Sequence, residues 1–451
     1  MLWESLWRSV AKVWRIEQGL TNENTQIYTE QQHQQTQLFF SIFRIRYLNQ
    51  KILLSFNNDY YLVKTISRLD RQYDHLCLLK SVNIPVVYDI QNIDHYHIYN
   101  AHKHKSLITH IIVSSHFFIH HYHNLLQESQ PLPILFGITI TDKEKDPVLL
   151  ANELPPSVQY YKYTIGGTIT KDHIPRLATV VHLSVGELDS GVVPNNVETL
   201  ILRCPDYVVT NPSALVEFNY QSIPKSVKCL TLYRNFEKIN INLLPPNLRY
   251  LRLVNRNIQG DGFGSLKRLS MLCLDGEEMI TRPNSVTQLK LFHVQKYDTA
   301  IQLPPNLYFL HIQKMYQDYS KVSQLPAPLP RNLKTLSLDI QTKLSPNPSN
   351  LKTLKLYNLG HPGDFYFHIF DQFPNLSKLC LSVKLKDSFS HMFDIVCPNY
   401  NNSKFPSTIK QVKFKSQNTG RPSESYHFIN GKVYIETNLP LSRHKMSIIP
   451  S

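Results

Sequence analysis

A short motif recurs about a dozen times between Pro155 and Phe414. A proline is followed by a polar spacer, then by apolar residues at the third, sixth and eighth places after it. The clearest copies are PNNVETLIL from Pro194, PKSVKCLTL from Pro224 and PPNLRYLRL from Pro245. PNSVTQLKL from Pro283, PPNLYFLHI from Pro304, PRNLKTLSL from Pro330, PSNLKTLKL from Pro348 and PSTIKQVKF from Pro406 obey the same rule. PPSVQYYKY from Pro155 and PRLATVVHL from Pro175 fit with weaker residues, and Leu266 and Phe373 replace the leading proline in two more copies. One such unit buries too little to be stable alone. Units must therefore stack on their neighbours, and the chain must grow in one dimension as a solenoid. That overrides the prior that 451 residues would split into several globular domains.

The spacing within the motif explains its residues. The sixth and eighth places alternate with exposed ones, which is strand period with two side chains buried per copy. The third place enters the same core from the preceding turn. Proline fixes the turn and needs no backbone donor. The second place is small and polar in most copies (Ser157, Asn196, Ser226, Asn247, Ser285, Asn306, Asn332, Asn350, Asn375 and Thr408), with Leu177 and Arg268 as exceptions. Such side chains bond backbone groups in turns, so this column is expected to form a structural ladder between adjacent copies. Starting points lie mostly 17–26 residues apart, with two intervals near 30, matching the ~20–29 residue period of leucine-rich repeats. The expected fold is an α/β repeat solenoid. It has a leucine-rich-repeat-like curved parallel sheet, an irregular or short-helical convex side and a helical N-terminal cap.

Along the chain, residues 1–37 read as a poorly ordered leader. Trp3, Leu6, Trp7, Val10, Val13 and Trp14 share one face of an amphipathic helix, and TEQQHQQTQ reads as a linker. Residues 38–79 carry helical spacing through Phe39, Ile42, Phe43, Tyr47 and Ile52 and again from Tyr61 to Leu79, giving a helical cap or an F-box-like module. Residues 80–150 hold degenerate repeats, with Ile108, Ile111 and Val113 and then Leu135, Ile138 and Ile140 at the right spacing. Residues 151–416 carry the regular repeats. Residues 417–451 form a C-terminal cap strand, GKVYIETNL from Gly431, and a loose tail.

The PxSVxxLxL core and the string FNYQSIPKSVKCLTL from Phe218 resemble FNIP repeats, leucine-rich-repeat-like units named for Phe-Asn-Ile-Pro. Phe218–Asn219 is separated here from Ile223–Pro224, and LFFSIFRIRYL from Leu38 is similar to the leader that often precedes such repeats. The resemblance covers roughly residues 38–56 and 155–415. Most copies lack the Phe-Asn pair, which makes the chain a divergent member. The resemblance implies a binding surface and supplies no catalytic residues.

Function is therefore sought on the exposed face of the strands, at the fifth, seventh and ninth places. The seventh column reads Lys162, His182, Ile201, Thr231, Arg252, Cys273, Lys290, His311, Ser337, Lys355, Cys380 and Lys413. Arg203, Lys378 and Lys415 flank it, with Tyr160, Tyr233, Tyr250, Phe292, Phe309 and Tyr357 among them; only Asp275 and Asp339 are acidic. With a net charge of +14, this basic and aromatic ladder is expected to bind an acidic protein, the rings acting as anchors. The ladder residues singled out are Lys162, Arg203, Tyr233, Tyr250, Arg252, Lys290, Phe292, Phe309, His311, Lys355, Tyr357 and Lys413. Interleaved basic and aromatic groups also suit RNA, but no RNA-binding module signature is present, and nucleic acid is disfavoured.

No nucleophile elbow, zinc-protease motif or kinase signature occurs. GDGFGS from Gly260 lacks the lysine of a phosphate loop. The histidines between His95 and His123 come without carboxylate or cysteine at ligand spacing. A non-enzymatic binding scaffold without cofactor, metal or small-molecule substrate is expected. The alternative is a ubiquitin-ligase substrate receptor, recruiting ligase core subunits through residues 38–79. That segment lacks the Leu-Pro entry and later tryptophan of a typical F-box. Six cysteines without a C-x-x-C pair, no long apolar run and no signal-type N-terminus point to a reduced, cytoplasmic chain without a membrane span.

Overall fold

The computed structural model describes residues 60–81, 83–114, 116–117, 135–141, 154, 157–164, 168–169, 171–184, 187–203, 219–233, 239–254, 258–259, 263–275, 284–294, 303–314, 323–324, 329–339, 342–343, 350–359, 373–383, 408–416, 424–429, 432–437 and 447–448. The leader and leader-like segments expected over residues 1–59 lie outside these residues. Two compact units are present, divided at Ile111, with Gln91–Ile93 assigned to the second.

In the first unit, β1 (Tyr61–Val63) is followed by helices α1 (Arg68–Arg71) and α2 (Tyr73–Ser81), then by β2 (Val86–Ile90) and α3 (Ile93–Ala101); β3 (His110–Ser114) begins in this unit and ends in the second. The helical pattern from Tyr61 to Leu79 thus starts as a strand. Tyr61, Leu62 and Val63 are strand-favouring residues and pair in parallel with Val86, Val87 and Tyr88. Leu69, Leu76 and Leu79 bury the helical stripe. Asn83, with φ of 59°, ends α2 in the left-handed conformation that asparagine tolerates. Across it, the Ile84 N–H donates to the Leu79 carbonyl at 2.9 Å. Tyr88 and Tyr99 stack at 5.9 Å in this core.

The second unit is a large, mostly parallel sheet, the architecture of a repeat solenoid. Its parallel strands are β4 (Gly137–Thr141), β5 (Tyr160–Tyr163), β6 (Val180–Ser184), β7 (Thr199–Arg203), β8 (Cys229–Tyr233), β9 (Tyr250–Val254), β10 (Met271–Asp275), β11 (Gln288–Val294), β12 (Phe309–Lys314), β13 (Thr335–Asp339), β14 (Thr353–Leu359), β15 (Lys378–Val383) and β16 (Gln411–Ser416). Each pairs with the next in chain order. Three antiparallel strands follow: β17 (Glu424–Ile429), β18 (Lys432–Thr437) and β19 (Ser447–Ile448). The strand expected from Gly431 is β18. It is internal to this antiparallel set, because SYHFI before it and Ser447–Ile448 after it also pair.

Every copy of the motif lands in register. The sixth-place residues stack from Tyr161 through Val181, Leu200, Leu230 and Leu251 to Val412, and the eighth-place residues run beside them from Tyr163 to Leu381; all are buried. The third-place residues, from Val158 to Ile409, are buried as well. Ile138 and Ile140 of β4 join the same two columns.

The turns repeat with equal regularity. The third-place N–H donates to the leading carbonyl, as Val197 to Pro194 at 3.1 Å and Leu333 to Pro330 at 3.0 Å. Leu269 to Leu266 and Leu376 to Phe373 do the same where no proline leads, so proline stiffens this turn but is not required for it. The fourth- and fifth-place N–H groups then converge on the fourth-place carbonyl of the preceding copy. Lys228 and Cys229 donate to Glu198 (2.8 and 3.0 Å), Arg249 and Tyr250 to Lys228 (2.7 and 3.1 Å), and so on to Lys410 and Gln411 on Ser377.

The second-place column is a ladder in the structure. Asn196 donates to the Ala178 carbonyl (3.0 Å), Ser226 to Val197 (2.7 Å), Asn306 to Asn284 (3.2 Å) and Asn350 to Arg331 (3.0 Å), each reaching the copy before. Arg268 joins through the Asn247 Oδ1 at 3.3 Å. Short 3-10 turns at Tyr220–Ser222 and Ile241–Leu243 lead into Pro224 and Pro245. Asn219 and Asn240 cap them, their side chains accepting from the Gln221 and Asn242 N–H groups at 3.1 Å. This gives the Asn and the apolar-Pro halves of the unit their separate tasks, and the separation of five residues leaves room for the turn.

Candidate binding face

Because core and outward positions alternate, burying the sixth and eighth places leaves the fifth, seventh and ninth on the opposite face of the sheet. The seventh column is continuous in the Cα register from Thr139 through Lys162, His182, Ile201, Thr231, Arg252, Cys273, Lys290, His311, Ser337, Lys355 and Cys380 to Lys413. Adjacent parallel strands are ~4.8 Å apart, so side chains in neighbouring columns and rows touch.

Nine of the residues singled out in the sequence come together here. The Arg203 guanidinium lies over the Tyr233 ring at 4.9 Å, and the Arg252 guanidinium lies 5.3 Å from Tyr233 and 5.6 Å from Phe292. Phe292 meets His311 at 5.4 Å, and His311 meets Tyr357 edge-on at 5.6 Å. Lys290 and Lys355 each place their ammonium 5.9 Å from the Phe309 ring. Cations over ring faces are held by the ring quadrupole. Among the described residues no carboxylate pairs with Arg203, Arg252, Lys290 or Lys355. The Arg252 Nε is buried and has no hydrogen-bond partner.

Among the described residues the other three, Lys162, Tyr250 and Lys413, take no part in these ring contacts. The Tyr250 hydroxyl accepts from the Cys273 thiol at 3.9 Å, and burial with this neighbour raises its pKa. Lys162 stands at one end of the ladder beside His182 and Lys413 at the other beside Cys380. Burial raises the Cys273 and Cys380 thiols, against the opposing pull of nearby lysines. Burial pushes His311 down to about 4, helped by Lys290 and Lys355, and His182 down to about 4, helped by Lys162. Both imidazoles are therefore neutral at pH 7. The sequence reading missed that His311 Nδ1 shares a 2.8 Å hydrogen bond with the Ser337 hydroxyl. Their seventh places in consecutive copies were the available signal. Ser337 has 0% exposure, so this pair is part of the floor of the face.

Among the described histidines between His95 and His123, His95, His97, His102, His104 and His110 fall in the first unit. His102 and His104 approach the Asp70 carboxylate at 3.3 and 3.7 Å, with Lys103 at 3.5 Å. Hydrogen bonding to His102 and the charge of Lys103 outweigh burial and lower the Asp70 pKa. Among the described residues no group of three or more His, Cys, Asp or Glu is placed to hold a metal ion. Cys77, Cys229, Cys273 and Cys380 are free thiols, and no described helix is long and apolar enough to cross a membrane.

An in-register parallel sheet, one core face and one open face of repeated side chains define a repeat protein of the solenoid class. The FNIP Repeat family matches residues 217–255, the segment that holds both asparagine-capped turns together with β8 and β9. The chain therefore carries an FNIP-type repeat at residues 217–255. A comparison with curated proteins returned no match.

Proposed function

We propose that the chain is a non-enzymatic protein-binding scaffold whose open sheet face takes an acidic segment of a partner protein. One observation carries this reading. The cations Arg203, Arg252, Lys290 and Lys355 are held against aromatic rings without a carboxylate partner among the described residues. Charged side chains fixed over rings have already lost part of their rotamer freedom, so an incoming carboxylate meets preorganised donors. The rings beside them supply the apolar anchors typical of interface hot spots. The His311–Ser337 pair does not argue for hydrolysis, because a nucleophile must reach its substrate and Ser337 has no exposed surface.

The test is binding of a fluorescent peptide in which Glu and Asp alternate with Tyr and Trp, followed by anisotropy. The R252E/K290E/K355E variant is expected to bind more than tenfold more weakly than the parent, while a peptide with Lys in place of the acids binds neither. Unchanged binding by the variant rejects the assignment.

A further inference from the structure

A second charged surface lies on a different part of the repeat. The turns expose most of the first, second and fourth places along one edge of the sheet, outside both the buried columns and the open face. In the described repeats these places carry ten Lys or Arg and a single carboxylate, Glu198, already paired with Lys228. Lys225, Arg249, Lys267, Arg331, Lys334 and Lys352 are all exposed. Each repeat's fourth-place carbonyl binds the next repeat's N–H groups, so these side chains are fixed in a row with a ~4.8 Å step per strand. From Arg249 to Lys352 the row runs for roughly 25 Å.

Two of the exposed large apolar side chains belong to the same edge. Leu177 occupies a second place and is 56% exposed, and Tyr308 occupies a fourth place and is 40% exposed. The core has no use for either. Among the described residues no cation lies over a ring on this edge, unlike the open face, so the described edge offers no stacking platform of the kind that single-stranded nucleic acid uses.

We propose that this turn edge docks on an anionic phospholipid surface. A row of long cationic side chains can spread its charges over a sheet of phosphate and carboxylate headgroups. Their aliphatic stems lie at the interface while the heads stay in water. Leu177 and Tyr308 enter the boundary between headgroups and acyl chains, where an apolar body with a polar tip is favoured. Each Lys or Arg close to such a surface adds roughly a fivefold gain in partitioning, so a few of them suffice for reversible attachment. The edge and the open face are different sets of residues, so a scaffold could hold its protein partner while attached.

The experiment is sedimentation of the full chain with phosphatidylcholine vesicles, with and without one-third phosphatidylserine, at low and high salt. Binding is expected only with phosphatidylserine, and it should weaken as salt rises. The K225E/R249E/K334E/K352E variant should partition more than tenfold more weakly, with an unchanged thermal melt by circular dichroism as the check on folding. The R252E/K290E/K355E variant should partition at least half as well as the parent, which separates this edge from the protein-binding face. L177S/Y308S, with every charge in place, should lose several-fold. Equal partitioning onto neutral vesicles, or full partitioning by the edge variant, overturns the proposal. Tighter binding of a short poly(U) RNA than of the vesicles, lost in the same edge variant, assigns the edge to nucleic acid and likewise overturns it.

Discussion

Ser226 and Ser285 occupy the same second place in two copies of the motif, and the structure gives them opposite worth. The Ser226 hydroxyl donates to the Val197 carbonyl at 2.7 Å and so ties its turn to the preceding repeat. The Ser285 hydroxyl is buried with no partner. Truncating Ser226 to Ala removes a partly buried hydrogen bond, a loss of about 1 kcal/mol, and more if the carbonyl it leaves is shielded from water. Truncating Ser285 to Ala removes a polar group whose burial costs about 1–3 kcal/mol by mutational comparison. The small void left behind takes back part of the gain, so a net stabilisation of ~0.5–1 kcal/mol is expected. The same substitution at the same motif position should therefore shift stability in opposite directions, with a gap of about 1.5–2 kcal/mol between the variants.

Urea unfolding of the full chain measures the difference. Repeat arrays need not unfold in one step, so amide hydrogen exchange is the better-resolved readout. Protection should fall in β7 and β8 for Ser226→Ala, and should hold or rise in β10 and β11 for Ser285→Ala. If both variants lose protection to the same extent, the second-place column acts only through turn propensity, and the inter-repeat hydrogen bonds carry no weight.

Two further outcomes follow from the geometry. His110, His182 and His311 are each depressed from 6.5 to about 4, burial being the main cause. The unfolded chain therefore takes up their protons first, and stability should decline as pH falls from about 6.5 to about 4 and level off below, by up to ~3 kcal/mol per group. Urea midpoints measured across that range should slope less in H182N/H311N than in the parent, and an identical slope would show that these imidazoles are not held neutral. Deleting residues 1–79 should leave acidic-peptide affinity unchanged if function sits on the repeats. If residues 38–79 are instead an adaptor module, ubiquitin-ligase core subunits should copurify with the full chain and be lost with the deletion.

The repeat could be read from sequence because each copy carries its own register mark. The leading residue, the third-place apolar and the sixth–eighth pair sit at fixed offsets, so aligning the copies also aligned the strands, down to Leu266 and Phe373 where proline is absent. The open-face column followed from the same offsets. Elements that do not repeat were harder. Tyr61–Val63 reads as part of a helix because its apolar residues fit both periods over so short a run, and only pairing with Val86–Tyr88 decides it. The Asn240 cap is faint in the sequence although Asn240 precedes Pro245 by the same five residues that separate Asn219 from Pro224. Without a preceding Phe the unit did not stand out. Contacts between columns, such as Arg252 between Tyr233 and Phe292, depend on side-chain direction across strands and leave no mark in a linear pattern.

The order of residues in the seventh column also explains how a stack of cations survives on a sheet. Like charges directly opposite one another on adjacent strands are destabilising. Yet Arg252, Lys290, Lys355 and Lys413 are never neighbours: Cys273 separates the first two, His311 and Ser337 the next, and Cys380 the last. Neighbouring cations are thus two or three strands apart, roughly 10–14 Å, close to the Debye length of ~8 Å at physiological salt and beyond strong repulsion. The spacer that could itself become charged, His311, is kept neutral by burial and by the lysines around it. At the other end His182 is held neutral beside Lys162 in the same way. The rings of Tyr233, Phe292 and Phe309 then fill the spaces and bind the cations from the side. Such a face keeps its positive field for a partner while limiting the cost to its own folding. Replacing Cys273 or Ser337 by lysine would close the gaps, and the repulsion would then fall on the fold itself.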